Sequence, residues 1–210
     1  MAVRPDGHPS ERLGVFGGTF DPPHRGHVRV ATDVADRLDL DRMLWVPARV
    51  SPFKREETVT DAEIRLEMVR RAAELDPRFE VDARELDRPG PSYTIDTLES
   101  LRSEHPDAEI FLVLGADQFE DFPRWREPER IVRVVRLAVM NRAGASPRSV
   151  APEVAAAVEG LEQAVVFVPV TDVDVSSTGV RARVAEGHDP ADHVPGAVAD
   201  VIRARGLYVL

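Results

Sequence analysis

The chain has 210 residues, 43% hydrophobic and 30% charged, an ordinary globular balance for one or two domains that can bury a core without staples. It contains no cysteine, which excludes a disulfide framework, a thiolate nucleophile and a thiolate metal site, and which fits a reducing, cytoplasmic compartment. A net charge of −10 argues against nonspecific DNA or RNA binding, and no apolar run approaches the roughly 18 residues of a membrane helix.

Residues Met1 to Arg12 are polar, with two prolines, a glycine and no apolar stretch, so they read as a flexible extension rather than a secretory signal, leaving 13–210 as a single domain. Leu13 to Phe16 is a short buried strand that ends at once in Gly17-Gly18, and Pro22 and Pro23 keep the following loop open. Apolar residues at Val28, Ala31, Val34, Ala35 and Leu38 predict a helix; Met43 to Val46 is a second strand, followed by a charged loop from Arg49 to Val59. Thr60 and Glu63 match a capping box for a helix running through Ile64, Met68 and Ala72 to about Leu75. Phe79 to Val81 is a third strand, and the Pro89-Gly90-Pro91 loop leads into a helix from Thr94 to Leu101.

Glu109 to Leu114 is strongly apolar and stops at Gly115; Pro123 and Pro128 break up the next segment, before a helix at Ile131 to Val135 and a strand at Leu137 to Met140. After a loop from Asn141 to Pro147 come a weak alanine-rich helix at Val154 to Leu161 and the last strand at Val165 to Val168. Ser176-Ser177-Thr178 opens a helix ending near Gly187, and Val194 to Arg205 forms the final helix, with Gly206 as its stop. Strands alternating with helices predict an α/β fold: a doubly wound, mostly parallel sheet with helices on both faces and a small C-terminal helical part. Ligands bind beyond the carboxyl ends of such strands, and Gly17–His27, Gly115–Gln118 and Ser176–Arg181 would share that rim.

The eleven residues Gly17-Gly18-Thr19-Phe20-Asp21-Pro22-Pro23-His24-Arg25-Gly26-His27 carry the most chemistry. Two glycines let backbone approach a ligand, and their amides and the Thr19 hydroxyl can donate to phosphate. His24 and His27 share a face of a helix's first turn, where partial positive charge favours anions, and Gly26 leaves room for a nucleotide. The stretch is neither the dinucleotide Gly-x-Gly-x-x-Gly pattern nor a Walker loop. A glycine pair alone is an ordinary turn, and two histidines three apart are core or surface residues, or two ligands of a metal site that lacks a neighbouring third.

Taken together these residues resemble the signature of bacterial nicotinate mononucleotide adenylyltransferases, members of the HxGH nucleotidyltransferase superfamily with a Rossmann-like fold. The HxGH part is shared across the superfamily; Gly-Gly-Thr-Phe-Asp-Pro points to the pyridine-nucleotide branch. Ser176-Ser177-Thr178-Gly179-Val180-Arg181 alone is a capped helix with a solvated arginine, yet it is similar to the family's Ser-Ser-Thr-x-x-Arg element that grips ATP phosphates. Gly179 stands where a bulkier residue is usual and should loosen the helix start by up to ~1 kcal/mol. The resemblance runs from Leu13 to Leu210 and implies nucleotide contacts at Gly115 and Asp117, an acidic strand end suited to a ribose hydroxyl or magnesium.

The resemblance further implies a pyridine-substrate site at Pro91-Ser92-Tyr93-Thr94 and Phe122-Pro123-Arg124-Trp125, where an aromatic ring can stack and amides can read a carboxylate. Core packing is the plain alternative for Trp125. Lys54, next to Arg55, is carried over as a phosphate-loop lysine, although Ser-Pro-Phe-Lys-Arg matches the family's loop only loosely; Arg142 has a counterpart of unassigned role. The implied reaction joins ATP, with magnesium, to nicotinate mononucleotide by direct in-line attack, with His24, His27 and Arg181 as catalytic donors and no fixed protein metal site. Nicotinamide mononucleotide or phosphopantetheine as acceptor, a non-catalytic nucleotide sensor, and a metal hydrolase built on the two histidines are the alternatives. Oligomeric state, homo-oligomer included, is not read from the sequence.

Overall fold

The structure, a computed structural model, describes residues 11–49, 60–142 and 150–209; the expected loop contacts Lys54 and Arg55 lie outside the described residues, as does the side chain of Arg142. Six strands are described: β1 (Arg12–Gly18), β2 (Arg42–Pro47), β3 (Phe79–Val81), β4 (Glu109–Leu114), β5 (Arg136–Arg142) and β6 (Val165–Val170). All pair in parallel, in the order β3-β2-β1-β4-β5-β6. The helices are α1 (Arg25–Arg37), α2 (Ala62–Ala73), α3 (Arg84–Asp87), α4 (Thr94–Glu104), α5 (Ala116–Glu120), α6 (Pro128–Val134), α7 (Pro152–Ala157), α8 (Leu161–Ala164), α9 (Ser177–Ala185) and α10 (Gly196–Arg205). Among the described residues no helix is long and apolar enough to cross a membrane.

Side chains two apart along a strand point to one face, and here both faces are apolar. Ile110, Leu112 and Leu114 of β4, with Leu44 and Val46 of β2, pack against Leu98 of α4, Ile131 of α6 and Leu161 of α8. Phe111 and Val113, with Met43 and Trp45, face the other way, against Val34 of α1, Met68 and Val69 of α2, Val180 of α9 and Val198 of α10. Each such side chain, fully buried, contributes roughly 1.5–3 kcal/mol. The C-terminal helices therefore complete one layer of the main core. The chain leaves β1 toward β2 on one side, while β4 lies on the other, so a crevice opens at the carboxyl ends of β1 and β4.

Several boundaries move from their expected places. β1 begins at Arg12, one residue before the expected strand, where Arg12 is buried and paired with Glu109. Asp61, not Thr60, caps α2 by accepting the Glu63 amide, because Thr60 is drawn elsewhere: its amide bonds Asp21 and its hydroxyl bonds Tyr208. The expected helix over 154–161 is two helices, the first ending at extended Val158 and the second starting after Gly160, whose φ of +83 leaves the right-handed helical region. α10 starts at Gly196 because Pro195 occupies its N-cap, and it stops at Gly206 as expected.

Candidate active site

Every expected site residue that the structure describes lines one cleft of about 1700 Å³ at the carboxyl ends of the central strands. The Gly17-Gly18 end of β1 forms its floor, α1 and α9 supply one wall, and the starts of α4 and α5 with Trp125 supply the opposite wall.

α1 begins one turn earlier than the apolar spacing suggests, because its cap is built from histidines. His24 is the N-cap, and its Nδ1 accepts the His27 amide at 3.3 Å; the Nδ1 of His27 accepts the His24 amide at 3.1 Å. The rings stack at 3.6 Å. An amide only donates, so both Nδ1 atoms carry lone pairs, and each neutral ring keeps its proton on Nε2. Burial lowers the His24 pKa to about 4, and burial with the neighbouring His24 holds His27 well below the usual imidazole range. The pair thus presents two uncharged N–H donors at a helix N-terminus. A Cβ on Gly26 would come within 3.1 Å of the His24 ring and of Val175, so a side chain there would press on the stacked pair.

Phe20 lines the cleft, but its ring is only 2% exposed and packs edge-on to His27 at 5.1 Å and to Phe16 at 5.5 Å. Its φ of +51 is costly for an aromatic residue and is held by that packing. Phe20 therefore backs the histidines with its ring.

The second motif caps α9 as expected. Ser176 accepts the Gly179 amide at 3.1 Å, which spends its hydroxyl oxygen on the helix. Ser177 donates to the Pro22 carbonyl at 2.9 Å, and Arg181 donates to the Asp21 carbonyl at 2.7 Å and contacts Thr178 at 3.4 Å. The two motifs, more than 150 residues apart, are thus bonded directly. Arg181 is held at the cleft wall with guanidinium edges left over for an anion.

At the opposite wall, Gly115 ends β4 and Asp117 is exposed on the first turn of α5; Gln118 turns back to accept the Gly115 amide at 3.0 Å. A Cβ on Gly115 would meet the Asp117 carboxylate at 2.5 Å, so glycine lets that carboxylate fold over the strand end. Tyr93 is the N-cap of α4 without a side-chain cap bond, leaving the first amides of the helix, Thr94 onward, without capping from that residue. Trp125 is half-buried, packed on Phe122 at 5.6 Å, and still lines the cleft, so core packing and exposure to a ligand are both true of it.

Sequence reasoning missed several residues. Arg126 stacks its guanidinium 4.5 Å from the Tyr93 ring. Buried Glu85, its pKa raised by burial, accepts from Thr97 at 2.8 Å under the Tyr93 loop. Arg65 is 1% exposed and donates to the carbonyls of Thr19, Ala48 and Thr60 at 2.8, 2.9 and 3.0 Å. Its place on the apolar face of α2, in register with Val69 and Ala72, was the available signal. Among the described residues lining the cleft, carboxylates outnumber arginines, and no group of three or more His, Cys, Asp or Glu residues is placed to hold a metal ion.

A family model described as cytidylyltransferase-like matches residues 15–183. A Thermus thermophilus protein named probable nicotinate-nucleotide adenylyltransferase is 43% identical over 197 residues, spanning 94% of this chain and 99% of its own. A Roseiflexus protein of the same name is 41% identical over 199 residues, spanning 95% of this chain and 98% of its own. Among solved structures, Plasmodium falciparum nicotinic acid mononucleotide adenylyltransferase complexed with NaAD superposes with a TM-score of 0.73, covering 94% of this chain and 97% of its own at 17% identity, which bears on the fold alone.

Proposed function

The chain belongs to the nicotinate-nucleotide adenylyltransferase family of cytidylyltransferase-like proteins, and from that premise we propose the reaction and the residues that perform it. It transfers the adenylyl group of ATP to nicotinate mononucleotide in NAD biosynthesis. A phosphate oxygen of the mononucleotide attacks the α-phosphorus of ATP; the bond to the β-phosphate oxygen breaks, nicotinate adenine dinucleotide forms and pyrophosphate leaves. The attacking group is already anionic, so no side chain has to act as nucleophile, and the protein's work is alignment and charge stabilisation.

The observation that carries the residue assignment is the reciprocal histidine cap. With both Nδ1 atoms occupied, the Nε2–H groups of His24 and His27 remain to donate to the triphosphate as charge builds on it. Gly17, Gly18, Thr19 and Gly26 provide close backbone approach beside them. The α9 N-terminus takes the β- and γ-phosphates through Ser176, Thr178, Arg181 and the backbone of Ser177, whose hydroxyl proton is committed to the Pro22 carbonyl, and each aimed donor is worth on the order of 3–4 kcal/mol if it tightens in the transition state. Gly115 and Asp117 receive the nucleoside, with the Asp117 carboxylate accepting from a ribose hydroxyl. Tyr93, Thr94 and Trp125 hold the mononucleotide: ring on ring, with α4 amides toward its carboxylate. Lys54 remains a proposed phosphate contact on sequence grounds.

Magnesium, the proposed cofactor, arrives with the triphosphate and neutralises part of its charge. The cleft lining, in which described carboxylates outnumber arginines, suits a cation carried in with the triphosphate.

The test is pyrophosphate release from ATP and magnesium with nicotinate mononucleotide, nicotinamide mononucleotide or phosphopantetheine in separate reactions. Fast release is expected with nicotinate mononucleotide and much slower release with the others. Release with phosphopantetheine alone would overturn the acceptor, and none with any acceptor from folded, ATP-binding protein would overturn the enzyme.

A further inference from the structure

The bend from Thr19 to Pro22 crosses the cleft floor, and its carbonyls are held from two distant parts of the chain: Arg65 on Thr19, and Arg181 and Ser177 on Asp21 and Pro22. A further tie comes from the end of the chain. Past the stop of α10 at Gly206, Tyr208 turns back with φ +64, and its hydroxyl donates to Asp21 Oδ1 at 2.6 Å. The other carboxylate oxygen accepts the Thr60 amide at 3.1 Å, and the Thr60 hydroxyl reaches the phenol oxygen at 3.4 Å. Asp21 is 4% exposed, so these partners, rather than water, fix its side chain. One residue therefore meets the C-terminus through its carboxylate and Arg181 through its main-chain carbonyl.

We propose that Tyr208 is a positioning residue for adenylyl transfer: its hydrogen bond to Asp21 sets the main-chain carbonyl that aims Arg181 at the ATP phosphates. The proposal rests on the reading of Arg181 as a phosphate donor. Without the phenol hydroxyl, Asp21 Oδ1 loses its donor, the carboxylate is free to turn, and the carbonyl that orients Arg181 moves with it. Misplacement of about 1 Å in such a site can cost up to about 100-fold in rate. Burial and the bond to Asp21 raise the phenol pKa, so the hydroxyl stays a donor at neutral pH.

Tyr208→Phe keeps the half-buried ring and removes only the hydroxyl. Turnover per folded enzyme should fall roughly 5- to 20-fold, with KM for ATP changing less than about 3-fold. A merely structural role would instead lower the melting temperature and leave turnover of the folded fraction unchanged. In an Arg181→Ala background Tyr208→Phe should cost little more, because the group it aims is gone. Wild-type turnover of Tyr208→Phe beside an impaired Arg181→Ala overturns this proposal alone, as does an equal fractional loss in both backgrounds. Wild-type turnover of Arg181→Ala overturns the phosphate role of Arg181, and this proposal with it. Should Tyr208→Phe not fold, Asp21→Ala, which removes the carboxylate that the phenol binds, takes its place in the cycle, with the same readings.

Discussion

His24 and His27 each use Nδ1 to cap the other's amide, so protonating either ring at Nδ1 breaks a helix cap as well as burying a charge. That couples the site to pH with a definite sign. The folded His24 has a pKa of about 4 against the usual 6.5, so between those values the unfolded chain takes up a proton that the native state refuses. Stability should therefore rise with pH from about 4 to 6.5 and level off above, by about 3 kcal/mol for His24, with His27 adding in the same direction. Urea unfolding of the free enzyme across that range measures the slope, and NMR of the imidazoles should find neither ring titrating between pH 6 and 8. A ring that titrates near 6.5 would remove the neutral-donor assignment.

At the level of elements, the decisive features are helix starts, since those of α1, α4, α5 and α9 all meet the cleft. The α1 cap is made of His24 and His27, the proposed phosphate donors, the α9 cap is Ser176, and the α4 start is uncapped by its Tyr93 side chain. α2 differs: its cap, Asp61, lies beside the site, and Thr60 has been diverted to Asp21 and Tyr208. Asp61→Ala should cost about 1 kcal/mol by urea unfolding while leaving turnover near normal. Glu63→Ala should cost less, because no reciprocal bond from Glu63 to a cap amide forms part of the Asp61 cap. No loss for Asp61→Ala beside a clear loss for Glu63→Ala would restore the Thr60–Glu63 capping box that the sequence pattern predicts.

In the whole molecule, Arg65 joins the Thr19–Pro22 bend after β1, the exit of β2 and the entry to α2 through three short bonds to carbonyls. Burial lowers its pKa, with the charge of Asp21 as the largest opposing influence, so a buried cation stands beneath the bend without a direct carboxylate bond among its hydrogen bonds. Arg65→Met fills a similar volume but strands three carbonyls. The expected loss is on the order of 3 kcal/mol or more, read as a shift in the urea midpoint at unchanged slope, with turnover reduced because the Thr19–Asp21 bend loosens. A variant as stable as the parent would mean that those carbonyls find water.

The α/β class, the strand positions and the pairing of the two motifs at one rim were all legible in the sequence. Buried parallel strands read as apolar runs ended by glycine, and their ligands must lie at the carboxyl ends whatever the details. The family was legible for a different reason: close approach of backbone to phosphate demands particular small and polar residues at fixed spacing, which leaves a signature in order. α3 and α5 were not foreseen, being too short for an apolar period to develop. Nor were the partners of Asp21. Tyr208 and Arg65 reach it or its bend across 187 and 46 positions, and no local pattern encodes a hydrogen bond over such a separation. The sequence by itself determined which motif residues line the cleft, because their spacing and the strand ends that carry them are local features. Only the tertiary structure decided which histidine nitrogen is taken up by the α1 cap and which distant groups, Tyr208, Thr60 and Arg181, bond to Asp21, because those depend on the folded backbone and on which residues folding brings within hydrogen-bond reach.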